Sequence, residues 1–139
     1  MRYHETSINV RFNEVDSYRV AWHGHYVAWM EVGRAGLART FGLDADQLVS
    51  LGYLAPVVHL ELKYRKPARY GQELHIRTTA RRTEAATMEF VCRILDTDGS
   101  LCASGRTVHV LTDLNDTLQY RLPPVIAERL DRLMAYLEV

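Results

Sequence analysis

Residues 27–41, with the sequence VAWMEVGRAGLARTF, decide the fold because they predict one long helix held close to a sheet. Their apolar side chains recur at helical spacings, which is the pattern of one helix face. These side chains are Val27, Met30, Leu37 and Phe41. Gly33 and Gly36 lie inside the segment, and each costs about 1 kcal/mol of helix stability relative to Ala. Close approach of a neighbouring backbone is the usual compensation, so we expect the helix to press against a sheet. Gly42 suits the position just past the helix end.

Strand-like segments stand on both sides of this helix. They lie at 7–12, 55–65, 72–83, 87–96 and 101–111. Further helices are predicted at 45–51, which Asp44 can cap, and at 123–137, where a proline suits the first position. A long helix followed by strands joined through hairpins indicates the α+β class with an antiparallel β-sheet. We expect that sheet to curl around one long central helix, within a single domain that spans residues 1–139.

The composition excludes several classes of function. The 139 residues include 47% hydrophobic residues, 17 Lys and Arg against 17 Asp and Glu, and the sequence pI is near 7.0. This balance gives no basic excess for nucleic acid or an anionic membrane. No segment approaches the roughly 20 apolar residues of a membrane span, and the first residues carry charge without an apolar leader. The sequence therefore predicts a cytoplasmic protein without membrane insertion and without nucleic acid as a partner.

The two cysteines, Cys92 and Cys102, flank a predicted two-residue hairpin turn at 98–99. That turn would place Cys92 opposite Gly105 and Cys102 opposite Leu95. Side chains alternate between the faces of a sheet, so the two sulfurs are predicted on opposite faces. We therefore expect neither a disulfide nor a shared metal ion between them.

The loop before the long helix, residues 16–26 (DSYRVAWHGHY), places a carboxylate close to a helix start. Asp16 precedes His23 by seven residues, and a helix start offers unpaired N–H groups and a partial positive charge. A carboxylate facing such a point suits acyl transfer, because it can attack or activate water while the N–H groups hold the oxyanion. An Asp in such a loop is also a common turn former or cap, and spacing alone favours that structural role.

The residues around this loop resemble those of the hotdog-fold acyl-CoA thioesterases. The shared pattern is a strand ending in an aromatic residue, an acid, His-x-x-Tyr, and a helix with Glu and Arg three apart. In this chain the pattern falls on Phe12, Asp16, His23, Tyr26, Glu31 and Arg34. A second match is 62–74 (LKYRKPARYGQEL), where the family has a strand ending in Tyr-x-x-Pro-Ala-Arg, a turn and an apolar strand. The resemblance covers about residues 8–111 and points to the 4-hydroxybenzoyl-CoA thioesterase family and its Tol-Pal-associated short-chain branch.

This resemblance implies a hotdog fold, a homodimer or homotetramer, and active sites at the subunit interface. The implied reaction is hydrolysis of an acyl-CoA thioester to free acid and CoA, with CoA as part of the substrate and no other cofactor. The catalytic acid falls on Asp16, as nucleophile or general base, and the helix-start N–H that polarises the thioester carbonyl falls on His23. The family's tyrosine is Tyr26 and its helix glutamate is Glu31. A thioester needs no Ser-His-Asp triad, because a thiolate departs readily.

Two segments depart from the family pattern. Tyr18 and Arg19 stand where the family often has Ala-Gly or Gly-Gly, so bulky side chains narrow or reshape the substrate pocket. Residues 84–87 (EAAT) stand where the family often has Arg-x-Thr or Arg-x-Ser, which helps to bind the coenzyme phosphates. Either Arg81 and Arg82 take over that role, or the thioester carrier is not CoA.

The aromatic and histidine candidates for site residues have both a functional and a structural interpretation. Trp22 can line an acyl or aryl pocket together with Tyr26, but aromatic packing explains both equally well. The His23 side chain can contact the substrate carbonyl or orient Asp16, or the residue contributes its backbone N–H alone. His23 and His25 form a His-x-His pair, but no third ligand has convincing spacing, so no metal site is predicted.

The charged candidates also have two interpretations. Glu31 is a second candidate for the catalytic acid, although an ion pair with Arg34 three residues later is favoured. Arg65, Lys66 and Arg69 can meet the coenzyme phosphates, or they are solvated around a proline-containing turn.

Two alternative functions stay open. The first is a thioesterase acting on acyl groups held by a carrier protein, which the sequence at 84–87 suggests. The second is a non-catalytic hotdog protein that binds an acyl or aryl ligand or a partner, which the bulky Tyr18 and Arg19 suggest.

Overall fold

A five-stranded antiparallel sheet forms the centre of the protein, and the computed structural model describes residues 2–83 and 85–138. Across the sheet the order is β1 (His4–Asn9), β4 (Glu73–Arg81), β5 (Thr87–Asp96), β6 (Leu101–Val110) and β3 (Val57–Tyr64). A separate small sheet pairs β2 (Tyr53–Leu54) with β7 (Thr112–Asp113). Buried and more exposed positions alternate along β4, as expected for a sheet with one covered face. The predicted α+β class with an antiparallel sheet is confirmed.

The described residues form three α-helices, which are α1 (His25–Thr40), α2 (Ala45–Ser50) and α3 (Pro124–Glu138). Helix α1 has 16 residues and α3 has 15, so a single long helix does not describe the helical part of the fold. Helix α1 lies against β1, β4 and β5, whereas α3 contacts β4. Pro124 opens α3 at the position where its missing N–H costs nothing.

The two glycines inside α1 mark its closest approaches to the sheet, as predicted. A Cβ at Gly33 would overlap Thr78 and Ile76 of β4. A Cβ at Gly36 would overlap the ring of His4 on β1. The helix can therefore lie this close to two strands only because both positions lack a side chain.

The apolar core has two clusters, one at each end of α1. The cluster at the C-terminal end joins α1 to α2, α3 and the ends of β4 and β5. Its fully buried members include Leu37, Leu111, Ile126, Leu133 and Leu137. The cluster at the N-terminal end packs α1 against the middle of the sheet. Its members include Tyr26, Trp29, Met30, Ala68, Ile76 and Ile94. Every described cluster member is less than a tenth exposed.

The connection between β3 and β4 differs from the expected hairpin. These strands do not pair, because β3 lies at one edge beside β6 and β4 lies between β1 and β5. The linking segment passes beneath the start of α1, where Ala68 is completely buried. Its N–H donates to the Tyr26 hydroxyl over 3.1 Å, and its carbonyl accepts from the Ala21 N–H over 2.7 Å. These contacts bring Pro67 beside the loop that precedes α1.

The β5–β6 hairpin corrects the predicted arrangement of the cysteines. The Asp96 N–H donates to the Ser100 carbonyl, so the loop that this hydrogen bond closes holds three residues, 97–99, rather than two. A β-bulge follows, which pairs Leu95 with Leu101 and leaves Cys102 without the expected partner. The pairing of Cys92 with Gly105 is confirmed, but both free thiols point into the same N-terminal core cluster. The prediction of opposite faces is wrong because the bulge adds one residue to β6.

Candidate active site

The loop before α1 is anchored by a buried acid, Glu14, which ends a 3-10 helix at Phe12–Glu14. Of this segment, Phe12 was expected to end the first strand, which instead ends at Asn9. Glu14 is 3% exposed, and its carboxylate accepts from the Arg11 N–H over 2.8 Å and from the Trp29 indole N–H over 3.1 Å. Arg11 also pairs with it over 3.2 Å. One carboxylate thus ties the loop to the first turns of α1.

Burial and hydrogen bonding act in opposite directions on the Glu14 carboxyl. Desolvation raises its pKa, but the hydrogen bonds from Arg11 and Trp29 together outweigh that effect, so the pKa lies below its ordinary 4.5. Glu14 is therefore charged at neutral pH and fully engaged in holding the loop. Its engagement leaves the next acid along the chain, Asp16, as the loop's carboxylate that faces open space.

Asp16 sits at the beginning of a tight turn. Its Oδ1 accepts the Tyr18 N–H over 2.8 Å, and its backbone carbonyl accepts the Arg19 N–H over 2.9 Å. Arg19 adopts a φ of 64°, in the left-handed region that favours glycine. Among the hydrogen bonds of residues 2–83 and 85–138, none uses the other carboxylate oxygen, Oδ2. The turn therefore fixes the direction of the carboxylate while leaving one oxygen available.

The start of α1 leaves backbone donors available near this carboxylate. Gly24 is the N-cap residue and provides no side-chain cap. Within the described part of the chain, the N–H groups of His23 and Gly24 have no acceptor. The His23 carbonyl accepts from the Tyr64 hydroxyl over 2.7 Å, which fixes this peptide. Trp22 packs its indole over Gly24, where a Cβ would overlap the ring.

These elements enclose a cavity of about 390 Å³. It brings together six of the residues predicted from the sequence as site residues. They are Asp16, Tyr18, His23, Tyr26, Arg65 and Lys66. Val20, Ala21, Tyr64 and Pro67 also line it. The volume lies at the lower end of the range typical of small-molecule pockets. Tyr18 is 83% exposed and stands at the edge of the cavity.

Two tyrosines form the inner wall. The rings of Tyr26 and Tyr64 meet edge to face, with centroids 5.0 Å apart. Burial raises the pKa of both hydroxyls, and for Tyr26 the hydrogen bond from Ala68 partly opposes that effect. Both phenols therefore stay protonated at neutral pH. The Tyr26 hydroxyl accepts from the Ala68 N–H, so its first role in this structure is to join α1 to the β3–β4 connection.

The predicted cationic residues are not equivalent. The Lys66 ammonium donates to Asp96 over 2.9 Å and to Ser100 over 2.8 Å, so it is committed to the β5–β6 hairpin. Arg69 belongs to the turn after the connection, where its N–H donates to the Gln72 side chain. Among the described residues, Arg65 forms no ion pair and is the one cavity-lining guanidinium.

The remaining predicted residues lie away from this cavity. Glu31 forms a two-point ion pair with Arg34, both contacts at 2.9 Å, and the hydrogen bond from Arg34 lowers the pKa of Glu31. Arg82 pairs with Asp131 of α3. Arg81 lies at the end of β4 on the outer face of the sheet. Trp22 flanks the helix start, and the predicted role of Glu84 lies outside the described residues.

Sequence reasoning missed Tyr64 and Glu14. Tyr64 stands inside the Tyr-x-x-Pro segment that carried the family resemblance, so its position in that motif was the available signal. Glu14 had no comparable signal, because an acid two residues before Asp16 looks solvated until the chain folds over it.

The arrangement suits attack on a carbonyl carbon. Asp16, with one unengaged carboxylate oxygen, and His23, with an unpaired backbone N–H, line one cavity, and the unpaired N–H of Gly24 follows at the start of α1. The carboxylate can act as nucleophile or as general base, and the N–H groups, with the positive end of the helix, can donate hydrogen bonds to a developing oxyanion. Among the described residues, no three His, Cys, Asp or Glu side chains converge on a possible metal position. Nor does any described helix have the length and apolarity to cross a membrane.

Residues 10–130 match the family model of the thioesterase-like superfamily. Because this match covers well over half of the chain, the protein belongs to that superfamily. The prediction of a thioester hydrolase with a hotdog-type fold is thereby confirmed at the level of the family.

Individual relatives agree with this assignment. The chain is 32% identical over 134 residues to sll0410 of Synechocystis sp., described as a candidate esterase, covering 95% of this chain and 81% of the relative. It is 28% identical over 113 residues to YneP of Bacillus subtilis, described as a candidate acyl-CoA thioesterase, covering 81% and 82%. A DHNA-CoA thioesterase from Staphylococcus aureus superposes with a TM-score of 0.86 at 24% identity, covering 97% of this chain and 93% of that one. This last likeness shows the shared fold.

Proposed function

We propose that the protein hydrolyses an acyl-CoA thioester to the free acid and CoA, with Asp16 as the catalytic carboxylate. The observation that carries the proposal is the cavity that Asp16 lines together with His23, which lies just before the start of α1. The names of YneP and of the Staphylococcus aureus enzyme support CoA as the carrier. The resemblance to the 4-hydroxybenzoyl-CoA and Tol-Pal-associated branches belongs to the same proposal.

In this mechanism the thioester carbonyl oxygen points at the N–H groups of His23 and Gly24. Asp16 Oδ2 either attacks the carbonyl carbon or removes a proton from the attacking water. Negative charge then moves onto the carbonyl oxygen, where the two N–H groups and the α1 dipole stabilise it. Collapse of the tetrahedral intermediate breaks the carbon–sulfur bond and releases the thiolate. In the general-base route the acid is then free, and the thiolate takes up the proton that Asp16 removed from water, which restores the carboxylate. In the nucleophilic route the acyl group remains on Asp16 as a mixed anhydride, which a water molecule hydrolyses to the free acid and the Asp16 carboxylate, while a proton of that water reaches the thiolate through solvent. Tyr26 and Tyr64 hold the helix start in place.

Tyr18, Trp22 and Arg65 complete the proposed substrate contacts. Tyr18 narrows the cavity mouth, and Trp22 covers the helix start. Arg65 supplies a guanidinium without a carboxylate partner among the described residues, which suits an anionic part of the substrate. Lys66 and Glu31 are expected to matter less, because each has a charged side-chain partner, and Arg69 is expected to matter less because it is not among the residues that line the cavity.

The active protein is proposed to be a homodimer or a homotetramer of one hotdog domain, residues 1–139, whose sheet curves around α1. Strand β3 lies at the edge of the sheet with Val58 59% and Leu60 41% exposed. An exposed apolar edge strand is a pairing surface that proteins normally cover. Sedimentation equilibrium should give at least twice the 16.0 kDa chain mass, and Leu60→Lys should shift the protein toward monomer. A wild-type monomer at micromolar concentration would contradict this part.

A matched set of substrates tests the proposed reaction. Short aliphatic and aromatic acyl groups are each attached to CoA, to an acyl carrier protein and to N-acetylcysteamine, and thiol release is followed. We expect the CoA thioesters to have the highest kcat/KM, because the carrier contributes binding energy beyond the reacting carbonyl. The corresponding oxygen esters serve as controls and should react far more slowly.

The same set separates the two alternatives. A preference of tenfold or more for the carrier-protein thioesters would favour the acyl-carrier thioesterase, the alternative that the sequence at 84–87 suggests. Absence of hydrolysis on the whole set, together with saturable binding of an acyl or aryl ligand, would refute the proposal in favour of a non-catalytic hotdog protein.

A further inference from the structure

The outer face of the sheet carries an arginine cluster that the proposed reaction does not use. A cavity of about 360 Å³ lies on this face, and four arginines border it. They are Arg2, Arg77, Arg81 and Arg93. Tyr3, Thr79 and Val91 complete its wall. The Asp16 cavity has a different set of lining residues, so the two are separate within one chain.

Two of these arginines lie closer together than their like charges favour. Arg77 on β4 and Arg93 on β5 are directly opposed across the two strands. Side chains in such a pair lie about 5 Å apart at Cβ, and like charges there are destabilising. Arg77 has a partner in Glu5, over 2.9 Å, and is held over the Tyr3 ring at 4.6 Å. Among the described residues, Arg93 forms no ion pair.

The nearby carboxylates do not neutralise the positive charge of the four arginines. Arg81 is 3.7 Å from Glu89, but that carboxylate is also bound by Arg106 over 3.1 Å. The Arg2 guanidinium lies over the Tyr136 ring at 5.2 Å. Two carboxylates, those of Glu5 and Glu89, contact arginines of the cluster, and neither of these acids lines the cavity that the four arginines border. A chain with no net charge thus places four arginines around this cavity.

We propose that this cavity binds a small ligand carrying two or more phosphate groups. Guanidinium groups match phosphate oxygens with paired hydrogen bonds, and the larger negative charge of several phosphates suits four guanidinium groups better than a single carboxylate does. Arg81 lies four residues along β4 from Arg77, or about 13 Å between their Cα atoms. One phosphate therefore fits between Arg77 and Arg93, and a second lies toward Arg81 and Arg2. The concave shape and the volume of about 360 Å³ suit a small molecule.

Binding of defined probes tests the proposal independently of turnover, so its failure leaves the thioesterase proposal intact. Tripolyphosphate, orthophosphate, CoA and pantetheine are titrated by calorimetry into wild type, Arg93→Gln, and Arg121→Gln as a control for loss of one exposed arginine. We expect tripolyphosphate to bind more tightly than orthophosphate, and Arg93→Gln to weaken it about tenfold while Arg121→Gln does not. Without ligand, Arg93→Gln should melt at the same or a higher temperature than wild type, because it removes a like-charge contact.

Comparison of the CoA and pantetheine titrations identifies which molecule supplies the phosphates. Weaker binding of CoA by Arg93→Gln, with pantetheine unaffected, assigns the site to the coenzyme, whereas unchanged CoA binding assigns it to a separate polyphosphate. No saturable binding of tripolyphosphate, or equal binding by wild type and Arg93→Gln, would overturn the proposal. A change of oligomeric state in Arg93→Gln without any phosphate binding would also overturn it, in favour of a contact with a second copy of the chain.

Discussion

The two ends of α1 differ in how their terminal backbone groups are hydrogen-bonded. At the C-terminal end, Gly42 adopts a φ of 75°, its N–H donates to the Arg39 carbonyl, and the Leu43 N–H donates to the Ala38 carbonyl. This is a Schellman motif, and Arg129 of α3 adds a hydrogen bond to the Gly42 carbonyl over 2.8 Å. At the N-terminal end, the cap has no side-chain acceptor and two N–H groups stay without a partner in the described chain.

This difference indicates that the C-terminal end of α1 contributes mainly to stability and the N-terminal end to catalysis. The C-terminal end is closed by a large apolar cluster that includes α3. The N-terminal end faces a cavity and a carboxylate, so its backbone donors remain available for a substrate. Substitutions at one end should therefore change the free energy of unfolding, and those at the other should change catalysis. The following variants test that separation.

The largest stability effect is expected from Leu133→Ala in α3. Leu133 is completely buried in the C-terminal cluster, so the variant loses transfer free energy and leaves a cavity. The free energy of unfolding should fall by about 2–5 kcal/mol, measured by urea denaturation. The kcat of the remaining folded protein should stay within a factor of about two of wild type, because no contact to the Asp16 cavity changes. A large loss of kcat in fully folded Leu133→Ala protein would contradict the separation of stability and catalysis between the two ends of α1.

An intermediate effect is expected from Glu14→Gln at the other end. The amide would face donors from Arg11 and Trp29 with an N–H group of its own, which should cost about 1–3 kcal/mol. Here stability and catalysis should both fall, because this acid positions the loop that carries Asp16. Leu133→Ala provides the comparison at similar destabilisation.

The pH dependence of the same variant sharpens this prediction. Glu14 has a folded pKa below its unfolded value of 4.5, so its contribution is fully present above that value. It is lost as pH falls through the folded pKa. The difference in unfolding free energy between wild type and Glu14→Gln should therefore be constant near neutral pH and shrink in acid. A difference that grows below pH 4.5 would contradict the assigned charge state.

The smallest effect is expected from Arg19→Gly. The variant relieves a left-handed backbone that costs a side-chain-bearing residue about 1 kcal/mol, so the melting temperature should rise. Arg121→Gly, at a position without positive φ, should not raise it. Because Arg19 adjoins Tyr18 at the cavity mouth, we also expect a change in KM among acyl groups. A lower melting temperature would show that the Arg19 side chain stabilises the turn.

Much of the fold could be predicted from the sequence because it depends on local patterns. Helix periodicity located α1, and its two glycines correctly indicated close packing against the sheet. The β3–β4 crossover could not be predicted, because it depends on contacts of Ala68 with Ala21 and Tyr26, far apart in sequence. The bulge at Cys102 could not be predicted either, because the turn signal at 98–99 carries no information on an extra residue in β6.

The candidate site was predicted mainly through the resemblance. Spacing alone favoured a turn-forming role for Asp16, and the structure shows that turn, with Oδ1 bound to the Tyr18 N–H. Which acid in the loop is engaged and which is available depends on tertiary burial, which separates Glu14 from Asp16. No local pattern carries that information.

Asp16→Asn, compared with Asp116→Asn in an exposed loop, tests the central claim most directly. Asn keeps the Oδ1 acceptor for the Tyr18 N–H, so the melting temperature of Asp16→Asn should match that of wild type. The kcat/KM on the best thioester should fall about 10³-fold, because an amide cannot serve as nucleophile or base. Asp116→Asn should retain full activity. Wild-type turnover in a correctly folded Asp16→Asn protein would contradict the assignment of the chemistry to the N-terminal end of α1.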